Sequence, residues 1–79
     1  MFDEIDIFHR GMEFLEKDDP DRAIEAFDEA IEINPKYLEA YYSRGNAYEA
    51  KGQFELAIRS FNEVLHFAPN EPAAYYNRG

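Results

Sequence analysis

The 79-residue sequence lacks several features that define common classes of protein. It contains no cysteine, so neither a disulfide framework nor a thiolate metal site can form, which suits a reducing compartment. No apolar run approaches the roughly 18 residues that cross a membrane. The acidic stretch 1–10 also lacks the basic start of a signal peptide. We therefore expect a cytoplasmic protein that makes no membrane contact.

Basic residues are also scarce. The chain has 8 Lys and Arg against 17 Asp and Glu, and its formal net charge is −9. The excess lies in residues 1–35, which hold 12 acidic and 3 basic residues, whereas residues 36–79 hold 5 of each. Since phosphate contacts require a basic patch, nucleic acid is not an expected partner. The acidic half favours a partner with basic residues or serves solubility alone, and composition leaves both open.

The sequence shows no arrangement of residues typical of catalysis. It contains no nucleophile–base pattern and no glycine-rich phosphate loop. His9 has Asp6 and Glu13 on adjacent helical turns, but three such residues on an exposed helix, without supporting groups, are a weak metal signal. A solvated helix face is the favoured interpretation. We expect neither an enzyme nor a bound metal or cofactor.

What the sequence does contain is an internal repeat. Gly11, Gly45 and Gly79 are spaced 34 residues apart, and each follows an arginine. Self-similarity at such a fixed period indicates an array of repeated structural units. The same shift relates four further pairs of residues: Ala23 and Ala57, Ile24 and Ile58, Phe27 and Phe61, and Pro35 and Pro69.

Each repeated unit carries two patterns of helical period. Apolar spacing predicts helices over about 4–17, from Pro20 to a stop at Asn34-Pro35, over about 38–51 and 54–67, and a fifth helix that begins near residue 71. Asp19 is a predicted N-cap before Pro20, and Gly52 is placed for the left-handed conformation after a helix. No segment alternates like a strand. The sequence therefore predicts an all-α fold of about five helices.

These residues resemble the tetratricopeptide repeat (TPR) family, whose unit is a 34-residue helix–turn–helix. The first unit, 4–37, matches the family pattern at Gly11, Phe14, Ala23, Phe27, Ala30 and Pro35. The second unit, 38–71, matches at Tyr41, Gly45, Tyr48, Gly52, Phe54, Ala57, Ile58, Phe61, Leu65 and Pro69, and residues 72–79 begin a third. Asp18, Pro20 and Val64 depart from the pattern. The resemblance implies one domain, 1–79, in which antiparallel helix pairs stack as a short right-handed α-solenoid.

The resemblance also implies a binding groove. In the family, the first helix of each unit lines a concave groove for a peptide or protein segment. The corresponding residues here are Ile5, Phe8, Met12 and Leu15; Glu39, Tyr42, Asn46 and Glu49; and Ala73 and Tyr76. The positions of the lysine, arginine and asparagine clamp of one TPR subtype carry no cation here: Phe8, Met12, Ser43, Ala73 and Asn77. We expect apolar and aromatic binding, with Glu39 and Glu49 favouring basic residues in the partner.

The two ends of the repeat array differ. Asp6 and Glu13 occupy the positions at which Ala40 and Ala47 are expected to pack against a preceding unit, so the first helix is predicted to be an N-terminal cap. The partial repeat at 72–79 lacks a second helix. We expect the chain to be part of a longer array, or its end to be completed by another molecule.

The apolar stripe on the first helix has two interpretations. If Ile5, Phe8, Met12 and Leu15 are bare, they mark a contact with a partner or with another copy. Alternatively, Met1-Phe2 or further C-terminal helices cover the stripe within the molecule. A structural self-assembly module, joined through this stripe and the unfinished C-terminal repeat, is the alternative to a peptide-binding module.

Overall fold

The computed structural model describes residues 3–67, and over this range the chain forms four α-helices. They are α1 (Glu4–Glu16), α2 (Pro20–Ile33), α3 (Leu38–Ala50) and α4 (Phe54–Phe67). The all-α repeat fold is confirmed, and the boundaries agree with the predicted helices to within one residue. Four of the about five predicted helices lie within residues 3–67. The fifth, predicted to begin near residue 71, lies outside the described residues. No described helix is long and apolar enough to cross a membrane.

The helices of the first unit begin at side-chain caps. The backbone N–H of Asp6 donates to the Asp3 carboxylate at 2.9 Å, and the Asp6 carboxylate accepts in return from the N–H of Asp3. These bonds satisfy donors that the first helical turn leaves free. Asp19 caps α2 by accepting from the N–H of Arg22 at 3.3 Å, with Pro20 as the first helical residue. The predicted cap at Asp19 is confirmed.

The two turns within the helix pairs close in the same way. After α1, the N–H of Asp18 donates to the carbonyl of Leu15 at 3.0 Å, and the N–H of Asp19 donates to the carbonyl of Phe14 at 2.8 Å. This pair of bonds is the Schellman motif. After α3 the motif recurs 34 residues later, with 2.9 Å bonds from Gly52 to Glu49 and from Gln53 to Tyr48.

The Schellman motif requires a left-handed residue at its turn. Gly52 has φ +77° and confirms the prediction made from its place after α3. Asp18, at the equivalent position, has φ +60°, and it is the only described non-glycine residue with a positive φ. A side chain makes this conformation unfavourable, although aspartate tolerates it better than most residues. The geometry of the turn therefore persists in the first unit without the glycine that suits it.

Close approach of paired helices explains Gly11 and Gly45. A Cβ atom at Gly11 would lie 2.5 Å from the ring of Phe27, and one at Gly45 would lie 2.5 Å from the ring of Phe61. Both rings are fully buried. Each glycine therefore leaves the space that one phenylalanine of the partner helix fills.

The two helix pairs stack through α2 and α3. Ala40 and Ala47 of α3 are fully buried and share one apolar core with residues of α1 and α2, as their small size predicted. Arg44 of α3 crosses the joint: its Nη1 donates to Asp28 of α2 at 2.7 Å and its Nε donates to the buried Ser60 hydroxyl of α4 at 3.1 Å. One side chain thus ties together three helices.

Candidate functional site

The described part of the chain contains a concave cavity of about 470 Å³ between α1 and α3. Its described lining comprises Phe8, Met12, Leu38, Glu39, Tyr42, Ser43 and Val64. Four of these residues, Phe8, Met12, Glu39 and Tyr42, belong to the predicted groove. Of the other three, Ser43 was named only as a clamp position that carries no cation, and sequence reasoning missed Leu38 and Val64. Val64 was noted only as a departure from the usual alanine, yet it adds apolar surface to the cavity from α4.

Phe8 lies deeper than the sequence predicted. Its side chain is only 8% exposed, and its ring centroid lies 5.6 Å from that of Phe27 and 5.2 Å from that of Tyr37. Of the two interpretations of the α1 stripe, the bare one does not hold for Phe8, because Tyr37 arrives from the connection between α2 and α3 and covers one side of its ring. A charge at this position should unfold the helix pair.

Tyr42 repeats the arrangement of Phe8 in the second unit. Its ring centroid lies 5.6 Å from that of Phe61, the same separation as between Phe8 and Phe27. Phe8 and Tyr42 are 34 residues apart and occupy the same position in their units. Each ring packs on the phenylalanine of its own second helix and also borders the cavity. The wall is therefore aromatic and fixed in place by the core.

The remaining predicted groove residues among those described, Ile5, Leu15, Asn46 and Glu49, do not border this cavity. Ile5 is 51% exposed near the start of α1, and Leu15 is half-buried against the apolar core that α1, α2 and α3 share. Asn46 is half-buried and Glu49 is exposed, both farther along α3. Ala73 and Tyr76 lie outside the described residues. A role for these residues in binding stays a prediction.

Acidic side chains surround Tyr37 at one end of the cavity, beside the lining residues Phe8 and Glu39. Burial raises the pKa of Tyr37 above its ordinary value of 10.0, and the carboxylates of Glu39, Glu4 and Asp3 raise it further. Glu39 also lines the cavity. Three negative groups, from the start of α1 and the start of α3, therefore act on one half-buried hydroxyl. The sequence signal for Tyr37 was a departure from the repeat, since its 34-residue equivalents are Asp3 and Glu71.

Tyr41 shows how a tyrosine serves the fold instead. Its hydroxyl donates to the carbonyl of Pro35 at 2.8 Å, and its ring lies beneath the guanidinium of Arg44. Burial raises the pKa of Tyr41, the carboxylate of Glu63 raises it further, and Arg44 opposes both effects. Tyr41 therefore fixes α3 to the preceding connection.

The cavity offers chemistry for binding rather than for reaction. Its lining combines apolar and aromatic surface with one carboxylate, that of Glu39, and two hydroxyls, those of Tyr42 and Ser43. Among residues 3–67, no group of three histidine, aspartate or glutamate side chains is arranged to hold a metal ion. A site of this kind can accept an apolar side chain and hold it in place through a few polar contacts.

Comparison with known proteins identifies the repeat. The family model described as tetratricopeptide repeat matches residues 8–79. Among solved structures, the crystal structure of MamA superposes with a TM-score of 0.93 and is 26% identical over 96% of this chain. The chain spans 44% of the length of that MamA chain. No curated protein sequence matches it.

Proposed function

The chain belongs to the tetratricopeptide repeat family, whose members are generally non-enzymatic protein-interaction or scaffold modules, and we propose that its concave cavity binds a segment of another protein. The bound segment inserts an apolar or aromatic side chain between α1 and α3. The absence of cysteine supports a reducing, cytoplasmic setting for this interaction.

The observation that carries this proposal is the fixed aromatic wall. Phe8 and Tyr42 each pack on a buried phenylalanine and both border the same cavity. Side chains that are already held in place lose little conformational freedom when a ligand arrives, which favours binding. The volume of about 470 Å³ lies within the range of pockets that enclose small ligands and is ample for one large side chain.

The test compares two glutamate substitutions at apolar positions. A random peptide library is selected on the full chain, and the affinity of one enriched peptide is then measured by calorimetry. Met12→Glu, on the cavity wall, should weaken binding by about tenfold or more, because it places a charge against the apolar side chain of the peptide. Ile33→Glu, at a 48% exposed position outside the cavity lining, is the matched control and should leave affinity unchanged.

Circular dichroism of both variants verifies that the helices remain. If a folded Met12→Glu variant binds the peptide as tightly as the parent chain, the cavity is not the binding site. A failure to enrich any peptide also counts against the proposal.

A second candidate is self-assembly through α4. Ile58 is 42% exposed and Phe54 is 60% exposed. Ile24, the equivalent of Ile58 in α2, is only 8% exposed, because it belongs to the apolar core that α1, α2 and α3 share. This face of α4 supports a contact with another copy, while the burial of Phe8 removes part of the α1 stripe from that role. Sedimentation equilibrium tests the candidate: association that Ile58→Glu abolishes supports it, and a monomer at high concentration rejects it.

A further inference from the structure

The acidic end of the cavity and its apolar wall form one continuous surface. Phe8 lines the cavity and its ring centroid lies 5.2 Å from that of Tyr37. Glu39 also lines the cavity and is the carboxylate with the largest effect on Tyr37. Two residues therefore belong both to the cavity wall and to the surroundings of the Tyr37 hydroxyl. A ligand that fills the cavity reaches these charges without leaving the surface.

The polar groups at this end have no cationic partner in the described part of the chain. The ion pairs found between residues 3 and 67 involve other carboxylates, those of Asp19, Asp28 and Asp21. The Tyr37 hydroxyl forms no hydrogen bond with a described residue, in contrast to the hydroxyl of Tyr41. Glu4 and Glu39 thus leave a negative potential over a half-buried tyrosine whose oxygen is free to accept a hydrogen bond.

We propose, on the basis of the function proposed above, that this end of the cavity binds a lysine or arginine side chain of the partner segment. The cation lies beside Tyr37, Glu39 and Glu4, while an apolar residue of the same segment fills the cavity against Phe8, Met12 and Tyr42. Charge complementarity commits the occupant to a basic segment, since an acidic one meets three carboxylates.

A purely structural role for Glu39 makes a different prediction. Glu39 is the second residue of α3, where a negative charge interacts favourably with the helix dipole. Glu55 is the second residue of α4 and has the same relation to its helix, but it does not line the cavity. Glu55→Gln is therefore the matched control for Glu39→Gln, because both substitutions remove one charge from a first helical turn.

The experiment uses the full chain and a peptide enriched from a random library on it. The peptide is compared with a copy in which norleucine replaces its basic residue. We expect the selected peptides to contain lysine or arginine and Glu39→Gln to weaken their binding about tenfold. We expect Glu55→Gln to leave affinity unchanged. The norleucine peptide should bind the parent chain and Glu39→Gln equally, because the interaction that Glu39 makes is then already lost.

Several outcomes overturn the inference. The inference of a basic segment is rejected if the enriched peptides lack basic residues, or if Glu39→Gln and Glu55→Gln weaken binding equally. The proposed function still stands in that case, provided that Met12→Glu weakens peptide binding. Binding insensitive to both Met12→Glu and Glu39→Gln rejects both. Self-association that peptide cannot displace assigns the cavity to a second copy.

Discussion

Gly45 is a residue at which a single methyl group should be destabilising. Alanine favours a helix over glycine by about 1 kcal/mol, but its Cβ would lie 2.5 Å from the ring of the fully buried Phe61. Overpacking of this kind costs about 1–3 kcal/mol. The net effect is a fall of up to about 2 kcal/mol in the free energy of unfolding, measured in urea titrations of Gly45→Ala.

A smaller side chain at position 61 provides the control for Gly45→Ala. Phe61→Leu should be less destabilising in the Gly45→Ala background than in the parent chain, because it relieves the overlap. Additive effects of the two substitutions would contradict a direct clash between Cβ and the ring.

Asp18 is a residue at which glycine should be an improvement. Its φ of +60° is unfavourable for a side chain, and the equivalent Gly52 takes φ +77° without strain. We expect Asp18→Gly to raise the free energy of unfolding by about 0.5–1 kcal/mol. Glycine removes the cost of the left-handed conformation, and this gain exceeds the entropy that glycine adds to the unfolded chain. Thermal and urea unfolding measure the change. Gly52→Asp, the reciprocal substitution, should shift stability in the opposite direction.

At the scale of elements, the joint between the helix pairs depends on Arg44. Its side chain is 18% exposed, and it is the hydrogen-bond donor to the buried Ser60 hydroxyl. Arg44→Met keeps the length of the side chain but leaves Ser60 without this partner, so we expect a loss of about 1–3 kcal/mol in the free energy of unfolding. Chemical denaturation followed by circular dichroism gives the value.

Lys51 supplies the comparison for Arg44. Lys51 follows the end of α3 and pairs with Asp21 of α2, but the Asp21 side chain is 73% exposed. An ion pair this exposed contributes little, so Lys51→Met should change the free energy of unfolding by less than about 1 kcal/mol. Equal losses from the two substitutions would show that the contact with Ser60 is unimportant.

The helices could be predicted from the sequence because local signals mark their ends. Asp19-Pro20 begins α2, and Gly52 ends the turn after α3 through its own backbone preference. The 34-residue period added the pairing of helices, since Gly11 and Gly45 each need a partner that fills the space they leave. These inferences need only residues that are close in sequence or related by the repeat.

The depth of the candidate site could not be predicted in the same way. Helical spacing places Phe8 on a face of α1, but its burial depends on Tyr37, which lies 29 residues later in a connection between units. Tyr37 is not part of the repeat pattern, so the 34-residue spacing could not predict its contact with Phe8. The place of Val64 in the cavity lining was not predicted for a related reason, because tertiary packing brings α4 beneath α3.

For the whole molecule, the two perturbed tyrosines predict sensitivity to alkali. Their pKa values are raised above 10.0 in the folded state, so the folded chain holds these protons more tightly than the unfolded chain does. The resulting contribution to stability is complete below pH 10.0 and is lost as pH rises through the folded pKa values. We therefore expect the melting temperature to fall as the pH exceeds about 10.

Substitution of the two tyrosines tests this pH dependence. A chain carrying Tyr37→Phe and Tyr41→Phe should lose less stability between neutral and alkaline pH, although Tyr41→Phe lowers stability at neutral pH by removing the bond to Pro35. Tyr48→Phe controls for the loss of a hydroxyl elsewhere. An unchanged slope of melting temperature against pH in the double variant would show that other groups dominate the alkaline transition.

The position of Arg44 has a consequence for how the molecule opens. Its guanidinium belongs to the second helix pair, yet it is held by Asp28 of the first and by Ser60 of its own partner helix. Separation of the two pairs therefore breaks the contact with Asp28 and leaves the bond to Ser60 within the second pair. Repeat arrays follow nearest-neighbour statistics, in which such an interface term couples adjacent units. Backbone amides in α2 should accordingly exchange hydrogen for deuterium in concert with those of α3 and α4, as a single cooperative unit.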